Sequence, residues 1–164
     1  MEDPAPTGRK IFELPEYSTV SSKMKVFRYR PPETIKRRSF LPMVRSDVMI
    51  AQVQIIKEGG GEQELHSHGA LDGFWFVLSG CAKFYGDGDV ELATLAKHDG
   101  IYIPRNFLYW FEAVGDEPLE LLQVEAKDKT AENTYYSPAP KPTNIADVYT
   151  TDGELIAGDL RIEQ

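Results

Sequence analysis

His66-Ser67-His68 places two imidazoles at i and i+2, and in a β-strand that spacing turns both rings to one side. Two imidazoles converging on one spot can bind a divalent transition metal. The pair alone leaves packing open, since any strand can carry two histidines. Arg105, beside the turn residue Pro104, is a candidate to meet a substrate carboxylate. Gln54, Gln63, Gln123 and Glu125 can add polar contacts, although each also fits the solvent side of a strand. Cys81 is the only cysteine, so no intrachain disulfide and no cysteine-based zinc site is possible. A lone thiol agrees with a reducing cytoplasm, the expected location. No Ser-His-Asp order, phosphate loop or paired glycosidase carboxylates stand out.

The elements that must hold these residues are β-strands. The chain has 164 residues, 41% of them apolar and 11% aromatic, which is enough for one folded domain with a real core. Residues 1–46 read as an extended N-terminal arm. Within it Met24-Lys25-Val26-Phe27-Arg28-Tyr29-Arg30 alternates as a strand and Pro31-Pro32 ends it. From 47 the texture changes. Strands are expected at 48–56, 74–78, 81–85, 90–96, 101–103, 109–114 and 119–125, closed by turns such as Gly59-Gly60-Gly61, Gly86-Asp87-Gly88-Asp89 and Gly115-Asp116-Glu117-Pro118. Short strands with frequent turns mean a sandwich or barrel. Residues 126–164, with Pro138, Pro140 and Pro142, are read as a C-terminal tail packed on the barrel.

A net charge of -8 argues against a nucleic-acid partner. The basic run Lys36-Arg37-Arg38 reads as a solvated rim or a subunit contact. Met1 to Thr7 is acidic and proline-bearing, unlike a signal sequence. No apolar run approaches the roughly eighteen residues a membrane span needs, so no membrane partner is expected.

The segment from Asp47 to Glu125 resembles the cupin superfamily, whose fold is an all-β, jelly-roll-like double-stranded β-helix. The family's first motif runs Gly, five residues, His-X-His, three or four residues, Glu, six residues, Gly. Gly60, His66, His68 and Gly80 match it. Counting back from Gly80 puts Gly73 in the Glu position, while counting on from His68 puts Asp72 there. A bulge permitted by Gly73 would let Asp72 turn inward; otherwise Asp72 is a turn aspartate. The second motif is degenerate. Pro104 fits, His98 stands at its first glycine and Asn106 at its turn glycine. Tyr109 stands where a metal-binding His is expected, and Ala113 replaces the Asn.

The resemblance implies a metal site of His66, His68 and Asp72, which suits Fe(II) and therefore oxygenase chemistry, with Zn, Mn or Ni as other occupants. Tyr109 is expected as a ligand, an acid/base, or a packing residue. Trp75 and Gln54, with Arg105, are expected to contact a small organic, partly apolar or aromatic substrate. Three readings remain open: a metal-dependent oxygenase; a non-redox isomerase, cyclase or lyase using Tyr109; and a binding cupin without turnover. The arm implies a homodimer.

Overall fold

The computed structural model describes residues 24–33, 38–57, 59–139 and 144–162. Twelve strands lie among them: β1 (Arg38–Arg45), β2 (Met49–Ile56), β3 (Gly61–His68), β4 (Leu71–Ser79), β5 (Cys81–Tyr85), β6 (Glu91–Leu95), β7 (Gly100–Ile103), β8 (Tyr109–Val114), β9 (Leu119–Lys127), β10 (Tyr135–Tyr136), β11 (Asn144–Tyr149) and β12 (Leu155–Ile162). They form a seven-stranded sheet in the order β12-β11-β1-β2-β9-β4-β7 and a five-stranded sheet in the order β10-β3-β8-β5-β6. Chain neighbours are often not sheet neighbours, so the strands cross repeatedly between sheets, as in a double-stranded β-helix.

The two sheets close on one core. Trp75 and Val77 of β4, Leu119 and Leu121 of β9 and Ile56 of β2 meet Phe84 of β5 and Phe111 of β8. The Phe84 and Phe111 rings stack at 5.1 Å, and Trp75 leans on Phe111 at 5.5 Å. Each such side chain, withdrawn from water, contributes about 1.5–3 kcal/mol. Gly80 makes one of the tight corners, with φ of 78° and the Pro118 carbonyl oxygen 2.5 Å from where a Cβ would stand. His98 (φ 75°) and Asn106 (φ 63°) take up the left-handed conformation at the two glycine positions of the second motif.

A second cluster covers the outer face of the seven-stranded sheet. Leu41, Val53, Ile55 and Tyr149 pack there, with Tyr29, Met43, Leu78 and Leu122 against them. This arrangement reverses the usual polarity of β2. Its Val53 and Ile55 face outward under the arm and the C-terminal strands, while Gln52 and Gln54 face the barrel interior.

Four sequence expectations change here. Residues 24–30 are extended but form no strand. Tyr29 anchors them through its hydroxyl, which donates to Glu120 at 2.6 Å, and the Arg30 amide donates to the Thr151 carbonyl at 2.8 Å. Burial, then the Glu120 carboxylate, pushes the Tyr29 phenol above its ordinary range. The sheet begins at Arg38, inside the expected arm, because β1 pairs along the whole of β2. The expected tail supplies β10, β11 and β12; β11 joins β1 in parallel and β10 pairs with β3. Arg38 is no rim residue, since it is only 4% exposed. Lys36 and Arg37, residues 1–23 and the Gln63 side chain lie outside the described residues. Among the described residues no helix is long and apolar enough to cross a membrane.

Candidate functional site

Strand β3 turns His66 and His68 into the barrel, where they are 0% and 9% exposed. Their rings meet edge-on with centroids 5.2 Å apart. The ladder between β3 and β8 slips between Glu62 and His66, and after the slip His66 stands directly opposite Tyr109. Such a slip bends the strand and re-aims its side chains. The His66 and Tyr109 rings are 4.5 Å apart. On the other edge of β3, Tyr135 of β10 pairs with His68. Its ring lies nearly parallel to His66 at 5.2 Å and edge-on to His68 at 5.5 Å. The result is a cluster of two imidazoles and two phenols.

One proton in this cluster can be placed. His66 Nδ1 is 2.7 Å from the Glu64 carbonyl oxygen. A carbonyl only accepts, so Nδ1 carries the hydrogen and the neutral ring keeps its lone pair on Nε2.

The facing wall comes from the seven-stranded sheet. Arg38 donates to Gln54 Oε1 through Nε at 3.0 Å and a terminal nitrogen at 2.7 Å. Gln54 and Gln52 both donate through Nε2 to Gln123 Oε1, at 2.5 and 2.7 Å. Gln123 Nε2 in turn donates to Glu125 Oε1 at 2.6 Å. Every donor in this relay points from the cation toward the carboxylate, which fixes the orientation of the amides. Arg38 and Glu125 are 4% and 7% exposed. Burying either charge alone costs several kcal/mol, and the relay offsets part of that cost for both.

Between the two walls lies a small recess, open to solvent. His68 and Tyr109 line one side, Gly73 and Glu125 the other, with Leu71, Ile103 and Phe107 as apolar surface. Gly73 and Glu125 are direct cross-strand partners on β4 and β9. Trp75, two residues on from Gly73, shares its face and is fully buried.

Of the residues expected at a site, His66, His68, Tyr109, Trp75 and Gln54 all face the barrel interior. Asp72 and Arg105 do not join them. Register between β4 and β9 runs without interruption from Leu71 to Val77, so no bulge forms at Gly73 and Asp72 stays on the opposite face of β4. There Asp72 accepts from the Arg105 backbone amide at 2.9 Å and from Arg105 Nε and a terminal nitrogen at 3.2 and 2.9 Å. The Arg105 side chain, which also pairs with Asp128, holds the Asp72 carboxyl below its usual range. Arg105 is thus committed to two carboxylates at the rim rather than to a substrate. Gln123 and Glu125, named from sequence only as residues able to add polar contacts, line the interior, and Tyr135 is one the sequence reading passed over. The alternation Leu119, Leu121, Gln123, Glu125 carries the signal for the first two, because the leucines fix which side is inward.

These features define a cupin-type barrel with a polar, half-aromatic interior. The model of the cupin domain family matches residues 52–125. A segment of 72 residues is 36% identical to mannose-1-phosphate guanylyltransferase of Escherichia coli (strain K12), covering 43% of this chain and 14% of that one. A putative mannose-1-phosphate guanylyltransferase of Vibrio cholerae is 33% identical over 73 residues, or 44% of this chain and 15% of that one. The chain thus spans about a seventh of the length of these curated relatives. Among solved structures, a protein with a double-stranded β-helix domain from Klebsiella pneumoniae superposes with a TM-score of 0.57 at 17% identity, covering 73% of this chain and all (100%) of that one. An RmlC-like cupin protein from Desulfovibrio desulfuricans gives 0.53 at 22% identity, over 63% of this chain and 97% of that one. By the family match, residues 52–125 are a cupin domain.

Cupins commonly hold a divalent metal, so the donors here need testing for that role. Two imidazoles converge, but Gly73 occupies the inward carboxylate position and Tyr109 that of the third imidazole. No group of three or more His, Cys, Asp or Glu placed to hold a metal ion occurs among the described residues. This donor set does not fit the two-histidine, one-carboxylate centre expected from sequence.

Proposed function

We propose that this cupin catalyses proton transfer on a small, partly apolar carbonyl compound, the chemistry of an isomerase or lyase, with His66 and Tyr109 as the acid–base pair. The observation that carries this reading is the 4.5 Å approach of Tyr109 to His66, with His66 Nδ1 tied to the Glu64 carbonyl at 2.7 Å. His66 Nε2 takes the proton from the carbon beside the carbonyl, and the electron pair moves onto the carbonyl oxygen. The Tyr109 hydroxyl donates to that oxygen as charge develops. The burial of both side chains keeps competing water away. The oxygenase reading needs a third protein ligand, and Asp72, bound to Arg105, does not supply it. A binding cupin without turnover remains the second reading, and it predicts ligand uptake without proton exchange.

Exchange of the α-protons of small neutral ketones and aldehydes in D2O, followed by proton NMR with a chelator present, tests the proposal. Wild-type protein should accelerate exchange for at least one such compound. Tyr109→Phe and His66→Gln should each lower the rate by about 10²–10⁴-fold. Exchange that disappears with the chelator and returns with iron or zinc would contradict the proposal.

A homodimer is part of the same proposal. Phe74 and Tyr102 are cross-strand partners on the outer face of β4 and β7 and are 44% and 61% exposed. Phe76 stacks on Phe74 at 6.2 Å. A contiguous aromatic surface of this kind favours association, and a second copy of the chain is the occupant that the arm-bearing organisation led us to expect.

A further inference from the structure

The barrel keeps the two histidines of the motif and carries Gly73 and Tyr109 at the other two ligand positions. The surviving half has the geometry of a metal pair. The His66 and His68 ring centroids are 5.2 Å apart. Two imidazoles on one tetrahedral ion, with metal–nitrogen bonds of about 2 Å, hold their ring centres about 5 Å apart. His66 also donates from Nδ1 to the Glu64 carbonyl at 2.7 Å, the kind of backbone contact that orients a metal-binding imidazole.

The two departures differ in kind. Tyr109 leaves its position usable. It stands directly opposite His66 across β3 and β8, with the rings 4.5 Å apart, so a side chain there reaches the same point as the histidines. A phenol ligates strongly only after losing its proton, which in water it holds to about pH 10. Gly73, by contrast, is closed by packing. It has no left-handed φ and lies in a regular ladder, paired to both β7 and β9, where the backbone admits any residue and glycine weakens a strand. What excludes a side chain is Trp75. A Cβ at Gly73 would stand 3.1 Å from the indole Nε1, inside ordinary van der Waals contact. The indole has nowhere to move, being fully buried among the rings of Phe84, Tyr109 and Phe111. Glu125, the cross-strand partner of Gly73, accepts from Gln123 at 2.6 Å and forms no three-donor metal group with the histidines.

We propose that this protein works without a bound metal, with Trp75 closing the carboxylate position and Tyr109 alone withholding the third imidazole, so that Tyr109→His is sufficient to build a metal centre. The interior offers a divalent ion two imidazoles, and each further protein ligand is worth about a hundredfold in affinity. The inference stands apart from the proton-transfer reading, since a barrel that binds ligands without turnover would exclude metal for the same reasons.

Titration of untagged protein with Co2+ tests it, because four-coordinate cobalt absorbs strongly in the visible and cobalt on surface carboxylates does not. The chain has three histidines, and the third, His98, stacks on Phe76 outside the barrel. Wild-type protein should show no saturable band below about 100 µM Co2+. Tyr109→His should show one at a single equivalent, at least about a hundredfold tighter, and should lose it when His66→Gln is added. Tyr109→Cys, which offers a thiolate at the same point, carries the same expectation if Tyr109→His does not fold. Gly73→Ala should lower Tm by about 2–4 °C, although alanine in place of a strand glycine ordinarily raises it. A saturable band at one equivalent in the wild type would overturn the proposal. So would a folded Tyr109 variant that binds Co2+ no better than the wild type, or a Gly73→Ala protein with an unchanged or higher Tm.

Discussion

Gly73 and Asp72 are adjacent on β4, and which of them faces inward decides what the recess contains. Spacing from His68 favoured Asp72, whereas spacing back from Gly80 favoured Gly73. The uninterrupted ladder from Leu71 to Val77 settles the choice for Gly73. The histidine pair was legible because parity along one strand is a local property. The carboxylate was not, since its face depends on whether a bulge intervenes. Glu125 was named only as one of several residues able to add a polar contact, for a related reason: a lone acidic residue at a strand end looks solvated until its partner strand is known. At the rim, Asp128 has a consequence that pH can reveal. Its carboxyl is held at about 2 against an ordinary 3.8, by the Thr130 hydroxyl and amide first and Arg105 after them. A depressed carboxyl contributes stability above its unfolded value and loses it as pH falls through its folded value. The contribution is therefore present above pH 3.8 and disappears toward pH 2. Asp128→Asn removes it, so the acid-unfolding profile of that variant should be flatter over this interval. Identical slopes for the two proteins would count against the Thr130 and Arg105 contacts to Asp128.

Strand β2 shows how an element can be found correctly and still be turned the wrong way. Its β-branched run and closing glycines make the strand plain, but not that Val53 and Ile55 face outward. Their burial comes from Leu41, Tyr149 and Tyr29, which arrive from distant parts of the chain. The inward face is left to Gln52 and Gln54, and these join β9 through Gln123. Most strands between 47 and 125 were legible because turn residues bracket them. Strands β10 to β12 were not, since a polar, proline-bearing stretch gives weak alternation and acquires its structure from the sheet edges it joins. The relay that links β1, β2 and β9 should be energetically tight. Gln123→Leu keeps the volume but leaves two amide donors and the Glu125 carboxylate short of a partner. It should cost about 3 kcal/mol in urea unfolding, with the m-value unchanged. A loss below about 1 kcal/mol would mean that water replaces the amide and the relay is not closed.

For the whole molecule, the barrel separates two kinds of exposed chemistry: a polar recess at one opening and an aromatic face on the outside of β4 and β7. If that outer face joins two copies, Phe74→Lys should convert a dimer into a monomer by light scattering while leaving α-proton exchange within about twofold, because Phe74 and the recess lie on opposite faces of β4. A wild-type monomer at ~100 µM would refute the pairing, since the affinity it implies falls below that of a standard interface. The fold itself was readable from motif spacing and turns, because a closed barrel repeats its constraints in every strand. What the barrel does depends on a few interior positions where this chain departs from the motif. The most direct measurement is therefore α-proton exchange of small neutral ketones and aldehydes in D2O with a chelator present. The account predicts catalysed exchange by the wild-type protein and its loss in Tyr109→Phe. Exchange no faster than in buffer, or exchange that Tyr109→Phe retains in full, would contradict it.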